Sequence, residues 1–244
     1  MKEFDAFNIL NISENSSVEE IKKTFRKLIF LHHPDTSDIQ DDKYAGLLIE
    51  AYKKAIDISI QRTKKEEFDL KNQFRSFYSF DIPDKIDLTW IYNMILDILK
   101  NIEKLFYEKN NLPFYANLIS FLTRNCKENE IPEITGSFLS VLLVLINARM
   151  CSFDEGLKHE YEFEGLRKNF IRYVKDILET KNYMDYRFLM NAKKESLIND
   201  IVSGLRRTDS TAIKEELYSL MLIVMIFQEE DFHNNLFDCI KKEA

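Results

Sequence analysis

Only five glycines and four prolines punctuate a chain of 244 residues. Strands need frequent tight turns, and tight turns draw on those two residues. A chain so poor in them and so rich in Leu, Ile, Lys and Glu reads as all-α. Its length exceeds what one small core takes, so two domains are expected, and an apolar share of 45% is ample for both.

The most informative stretch is Ile21 to Asp35, IKKTFRKLIFLHHPD. At about 100° per residue, Ile21, Phe25, Leu28 and His32 fall on one side of a helix, with Thr24 and Leu31 at its margin. Lys22, Lys23, Arg26 and Lys27 occupy the other side. Phe30 lies about 180° from Ile21, among those cations, where it cannot join a core formed by the apolar side. Pro34 disfavours α conformation at His33, so the helix is predicted to stop near His32. His33 and Asp35 then sit on a loop at the end of a cationic rod. Upstream, Ser17-Val18-Glu19-Glu20 is a capping-box pattern that starts the helix, with two acids at its positive end.

A short helix is predicted over Phe4 to Leu10, with Phe4, Phe7 and Leu10 facing the core. A further helix is predicted from Lys43 to about Ile60, with Leu48, Tyr52, Ala55 and Ile56 as its apolar stripe. It would pair antiparallel with the basic helix.

The segment FDAFNILNISENSSVEEIKKTFRKLIFLHHPD, followed by EAYKKAI and KKEEFD, resembles the J-domain of Hsp70 co-chaperones, the DnaJ or Hsp40 family. Phe7, Ile9, Leu10, the Ile21/Leu28 pair, the basic run and Glu50-Ala51-Tyr52 fall in the family's order. The resemblance covers residues 1–70. It implies an antiparallel helix pair with short flanking helices, the last carrying Phe68. Roughly one extra helical turn separates Tyr52 from Phe68; either the third helix is longer or the fourth sits differently. Glycine is absent from the loop before the second helix, where many members have one.

The resemblance also implies a partner and a role. His33, Pro34, Asp35 and the cationic face, Lys22, Lys23, Arg26 and Lys27, would bind a DnaK-type Hsp70 and stimulate its ATP hydrolysis. Asp35 would pair with an Hsp70 arginine, His33 would orient the loop, and Pro34 would keep it out of the helix. Phe25, where the family often has tyrosine, and Phe30 complete the expected Hsp70-binding set; Phe30 enters from its place among the cations, and its alternative partner is this chain's own linker and second domain. The ATPase would be the partner's, so no catalytic residue and no cofactor are expected here. Intact His33-Pro34-Asp35 argues against the rival reading, a scaffold with a J-like fold that stimulates no ATPase.

Residues 71–84 read as an aromatic-rich linker, with Phe74, Phe77, Tyr78, Phe80 and then Pro83. Beyond it, 85–244 reads as a larger helical-bundle domain that provides targeting, or a client or partner site. Ile91, Ile95, Ile98, Ile102 and Leu105 repeat at 4-3-4-3 spacing in a helix expected to be central. Pro113 and Pro132 suit the first turns of two more helices. The second is predicted to reach Met150 and to be buried on most sides around Phe138–Ile146. Ser152-Phe153-Asp154-Glu155 is read as a capping box opening a helix to about Thr180. Helices near 183–205 and 210–227, and a short one to Lys242, complete the chain.

Other chemistry finds little support. The formal charge of −7 gives no reason to expect nucleic acid or an anionic membrane, and residues 1–70 carry 11 basic and 14 acidic groups. Cys126, Cys151 and Cys239 are far apart, so they read as free thiols without a zinc site. The histidines have no ligand cluster, and no phosphate loop appears. The N-terminus lacks a signal peptide's apolar core, and Phe138–Ile146 is too short to span a bilayer. A cytoplasmic chain without membrane insertion is expected.

Overall fold

In the computed structural model, the described residues are 3–32, 42–78, 81–83, 85–128, 131–155, 161–180 and 183–243. Among them every regular element is helical and no strand occurs. The chain divides into two units, Met1–Ser79 and Phe80–Ala244.

The first unit holds α1 (Glu3–Ile9), α2 (Val18–His32) and α3 (Asp42–Tyr78), with α1 and α2 both packed on α3. Ala6, Phe7, Leu10, Ile21, Leu48, Ala51 and Ala55 form its core, and Phe25, Leu28, Tyr44, Tyr52 and Ile56 pack against it. The side chain of Phe4 lies outside the described residues. Asn11 closes α1 with a φ of 52°, the left-handed conformation that asparagine tolerates best after glycine. That residue does the work of the missing glycine.

Helix α3 runs unbroken for 37 residues. The sequence had left open a longer third helix or a displaced fourth, and the first alternative holds. From Gln61 to Tyr78 the chain has no glycine or proline and is rich in Lys, Arg, Glu and Gln, so nothing stops the helix. Phe68 is 65% exposed on its surface, so it does not close the core. Residues 71–78 of the expected linker belong to the same helix.

The second unit contains α4 (Leu88–Lys100), α5 (Ile102–Tyr107), α6 (Leu112–Glu128), α7 (Glu133–Glu155), α8 (Glu164–Glu179), α9 (Tyr183–Arg207), α10 (Thr211–Ile226) and α11 (Glu230–Glu243). Helix α7 packs between α6 and α10, α10 also packs on α9, and α9 on α8. Helix α4 packs on α8 and α11, and α5 bridges α7 and α8. Asp87 and Ser210 cap α4 and α10, their side chains accepting from Trp90 N at 2.8 Å and Ile213 N at 3.3 Å.

Two sequence expectations change here. The stripe Ile91 to Leu105 is buried throughout but is split between two helices at Asn101. The Asn101 amide donates to Asp97 O at 2.9 Å, a local bond that competes with helix continuation. Ser152 opens no helix: it lies in the last turns of α7, and its hydroxyl donates back to Ala148 O at 2.9 Å. A capping box works only where the preceding residue is already out of the helix, and nothing between Met150 and Ser152 breaks α7. Helix α7 is buried on most sides around Phe138–Ile146, as expected, and is exposed only along a stripe through Ser140 and Val144. By length and apolarity α7 could cross a membrane. In this fold it is the helix shared by α6 and α10, with a charged network at its far end.

That network ties four helices together. Arg167 of α8 grips Glu216 of α10 through Nε and Nη2, at 2.6 and 2.9 Å. Arg149 of α7 donates from Nη1 to the same carboxylate at 3.3 Å and from Nη2 to Phe106 O of α5 at 2.6 Å. All three side chains are essentially inaccessible to solvent. Two guanidiniums share one carboxylate, and the rings of Phe153 and Phe106, 4.7 and 5.9 Å from the Arg149 guanidinium, face the surplus charge. Removing the shared acid would leave two buried cations facing one another. Glu216→Ala is therefore expected to lower stability by about 3–5 kcal/mol in urea denaturation. Exposed Glu215→Ala should stay within about 0.5 kcal/mol of wild type.

Candidate partner-docking site

Helix α2 begins where its sequence says it should. Ser17 N donates to Glu20 Oε2 at 2.9 Å and Glu20 N to Ser17 Oγ at 3.2 Å, the reciprocal pair of a capping box. From that start the helical period fixes which side chains turn inward. Ile21 is fully buried, and Phe25 and Leu28 are half-buried against α3.

Two aromatic pairs set the register. The rings of Phe25 and Tyr52 stack at 4.2 Å with an interplanar angle of 20°. His32 meets Tyr44 edge-on at 4.7 Å and 71°. The later residue of α2 meets the earlier residue of α3, so the helices run antiparallel, and the second pair sits at the end of α2. Phe25 thus faces the seam, with its ring stacked on Tyr52.

With Ile21, Phe25 and Leu28 turned toward α3, Lys22, Lys23, Arg26 and Lys27 are left exposed on the opposite side. Phe30 joins them at 66% exposure. Leu31, expected at the margin of the apolar side, is 60% exposed and lies next to it. Sequence reasoning missed Leu31; its angular offset from the centre of the apolar side was the available signal. The docking surface so formed is a cationic helix face ending in two exposed apolar side chains. His33, Pro34 and Asp35 follow directly in sequence and lie outside the described residues.

Such a surface offers attraction and shape to a partner. Among the described residues, no group of three His, Cys, Asp or Glu side chains could hold a metal ion.

Comparison with known proteins matches this part of the chain. The family model of the DnaJ domain matches residues 5–69. The Chaperone protein DnaJ of Orientia tsutsugamushi (strain Ikeda) is 36% identical over 69 residues, which is 28% of this chain and 18% of that protein. That of Anaplasma marginale (strain Florida) is 35% identical over 65 residues, 27% of this chain and 17% of its own length. The DnaJ protein homolog xdj1 of Schizosaccharomyces pombe is 33% identical over 64 residues, 26% and 16% of the two chains. The chain thus spans less than a fifth of the length of these curated relatives. No solved structure matches it. Residues 5–69, built on the α2–α3 pair, are a J-domain.

Proposed function

We propose that this chain is a co-chaperone that docks on a DnaK-type Hsp70 through α2 and the following His33-Pro34-Asp35, and stimulates that partner's ATP hydrolysis. The observation that carries the reading is the outward cationic face of α2, held by the seam with α3, immediately before the tripeptide. J-domain proteins generally partner with Hsp70 chaperones, and their family is one of co-chaperones, not of enzymes.

The physical division of labour is simple. Lys22, Lys23, Arg26 and Lys27 draw in an acidic surface and speed encounter, an effect that weakens with salt. Asp35 makes a charge-assisted contact with an arginine of the partner, His33 orients the loop, and Pro34 keeps the loop from extending the helix. Phe30 supplies an apolar anchor within the cationic surface. Phe25 acts from beneath, by fixing α2 on Tyr52. The second unit selects the location, client or complex on which the Hsp70 is set to work, and the chain acts in the cytoplasm.

His33→Gln is expected to abolish stimulation of single-turnover ATP hydrolysis by the cognate Hsp70, with the thermal melt unchanged because the residue lies beyond the α2 seam. A variant that stimulates like wild type would rule the co-chaperone reading out. Phe30→Ala is expected to weaken Hsp70 binding by about 1–3 kcal/mol, the range of an aromatic anchor at an interface. Its melting temperature should hardly move. Calorimetric titration of the full chain with the Hsp70 measures the first quantity, and a melt the second. Unchanged affinity with a lowered melting temperature would instead make Phe30 a packing residue of this chain.

A further inference from the structure

Helices α7 and α10 lie side by side in the second unit, and two contacts fix their register. Phe138 meets Phe227 with ring centroids 5.9 Å apart, and Arg149 meets Glu216. The rise from 138 to 149 matches the rise from 216 to 227, so the helices are antiparallel and in step along that length. This register sets Ser140 beside Met225, Val144 beside the Met221–Leu222 turn, and Asn147 beside Tyr218.

On the inner side, Phe138, Leu142, Leu145, Leu217, Leu220 and Val224 are buried. The outer side is open. Val144, Tyr218, Leu222 and Met225 are 45%, 51%, 42% and 50% exposed, and Ser140 and Asn147 are exposed between them. No charged residue occurs from Ile134 to Ala148 on α7 or from Leu217 to Gln228 on α10. In a chain with 31% charged residues, two adjacent helices with an uncharged, largely apolar outer face form a patch of the kind that marks a contact site.

We propose that this face is a homodimer contact, through which the chain associates weakly and reversibly with a second copy of itself. A two-fold contact presents the same face twice, with side chains at the axis meeting their own copies, so an uncharged face brings no like charges together. A chain of net charge −7 repels its copy over most of its surface, and the α7–α10 face is where two copies meet without opposed charges. Its size fits the same occupant. Four turns of two neighbouring helices present roughly 22 Å by 20 Å, on the order of 450 Å² per copy. A pair would bury about 900 Å², which is the range of weak, transient interfaces. Asn147 can satisfy its amide across the contact without desolvating a charge.

Sedimentation equilibrium of the full chain, from about 1 to 300 μM, tests this. The weight-average mass is expected to rise from monomer toward dimer across that range, and raising the salt should not reverse the rise, because no charge pair holds the contact. Val144→Glu and Leu222→Glu each bring a carboxylate from both copies into the apolar contact. Each should weaken association at least about tenfold, with circular dichroism and the melt unchanged, since both side chains are exposed. Phe30→Glu, on the other unit, should leave association intact, which keeps this result separate from Hsp70 docking. A wild-type mass that stays monomeric throughout would overturn the proposal. So would a dimer that neither substitution weakens, or a monomer that instead binds only a heterologous apolar helix on this face.

Discussion

Everything the first unit can offer a partner depends on the seam between α2 and α3. Ile21, Phe25 and Leu28 occupy it, and a helix that commits those positions has no freedom over where Lys22, Lys23, Arg26 and Lys27 point. The capping box at Ser17 and Glu20 fixes where the helix starts, and the Phe25–Tyr52 stack fixes its register on α3. At the far end, His32 rests against Tyr44, so the chain leaves α2 toward His33 from a position held by an aromatic contact. Burial on one side and charge on the other are therefore a single constraint. Apolar packing within the unit aims the electrostatic surface that faces outward.

The second unit is organised by a different interaction. Its helices α5, α7, α8 and α10 converge on one buried carboxylate, Glu216, through two guanidiniums and a backbone carbonyl. An apolar core of similar volume would be at least as stable, but would leave the helices freer to slide. Arg167 holds the carboxylate with two nitrogens while Arg149 joins it to the α5 backbone, which ties the four helices at fixed points. The same network accounts for a charged residue near the end of an otherwise apolar α7.

Much of this was legible in the sequence, for identifiable reasons. The all-α class followed from the shortage of glycine and proline, and α2 from a period, a cap and a proline stop that agree with one another. Where a single local signal stood alone, it failed. Ser152-Phe153-Asp154-Glu155 has the letters of a capping box but no preceding break, so α7 simply continues through it. The Ile91–Leu105 stripe has the period of one helix, yet one side-chain amide at Asn101 divides it. The length of α3 turned on the absence of any breaker after Ile60, an absence that local patterns do not display. Glu216 could not be singled out among 41 acids; the visible clue was Arg149, a lone charge in an apolar run, whose partner lies 67 residues away. Leu31 was read at the margin of the apolar side, and its angular offset from the centre of that side is what leaves it exposed.

Docking through α2 is the central claim, and backbone hydrogen exchange of the full chain tests it most directly. Exchange would be followed with and without a DnaK-type Hsp70 in its ATP state. Slowed exchange is predicted across residues 22–35, with the α7 and α10 amides unaffected. Unchanged exchange in α2, together with protection confined to residues 85–244, would contradict the account and move the Hsp70 contact to the second unit.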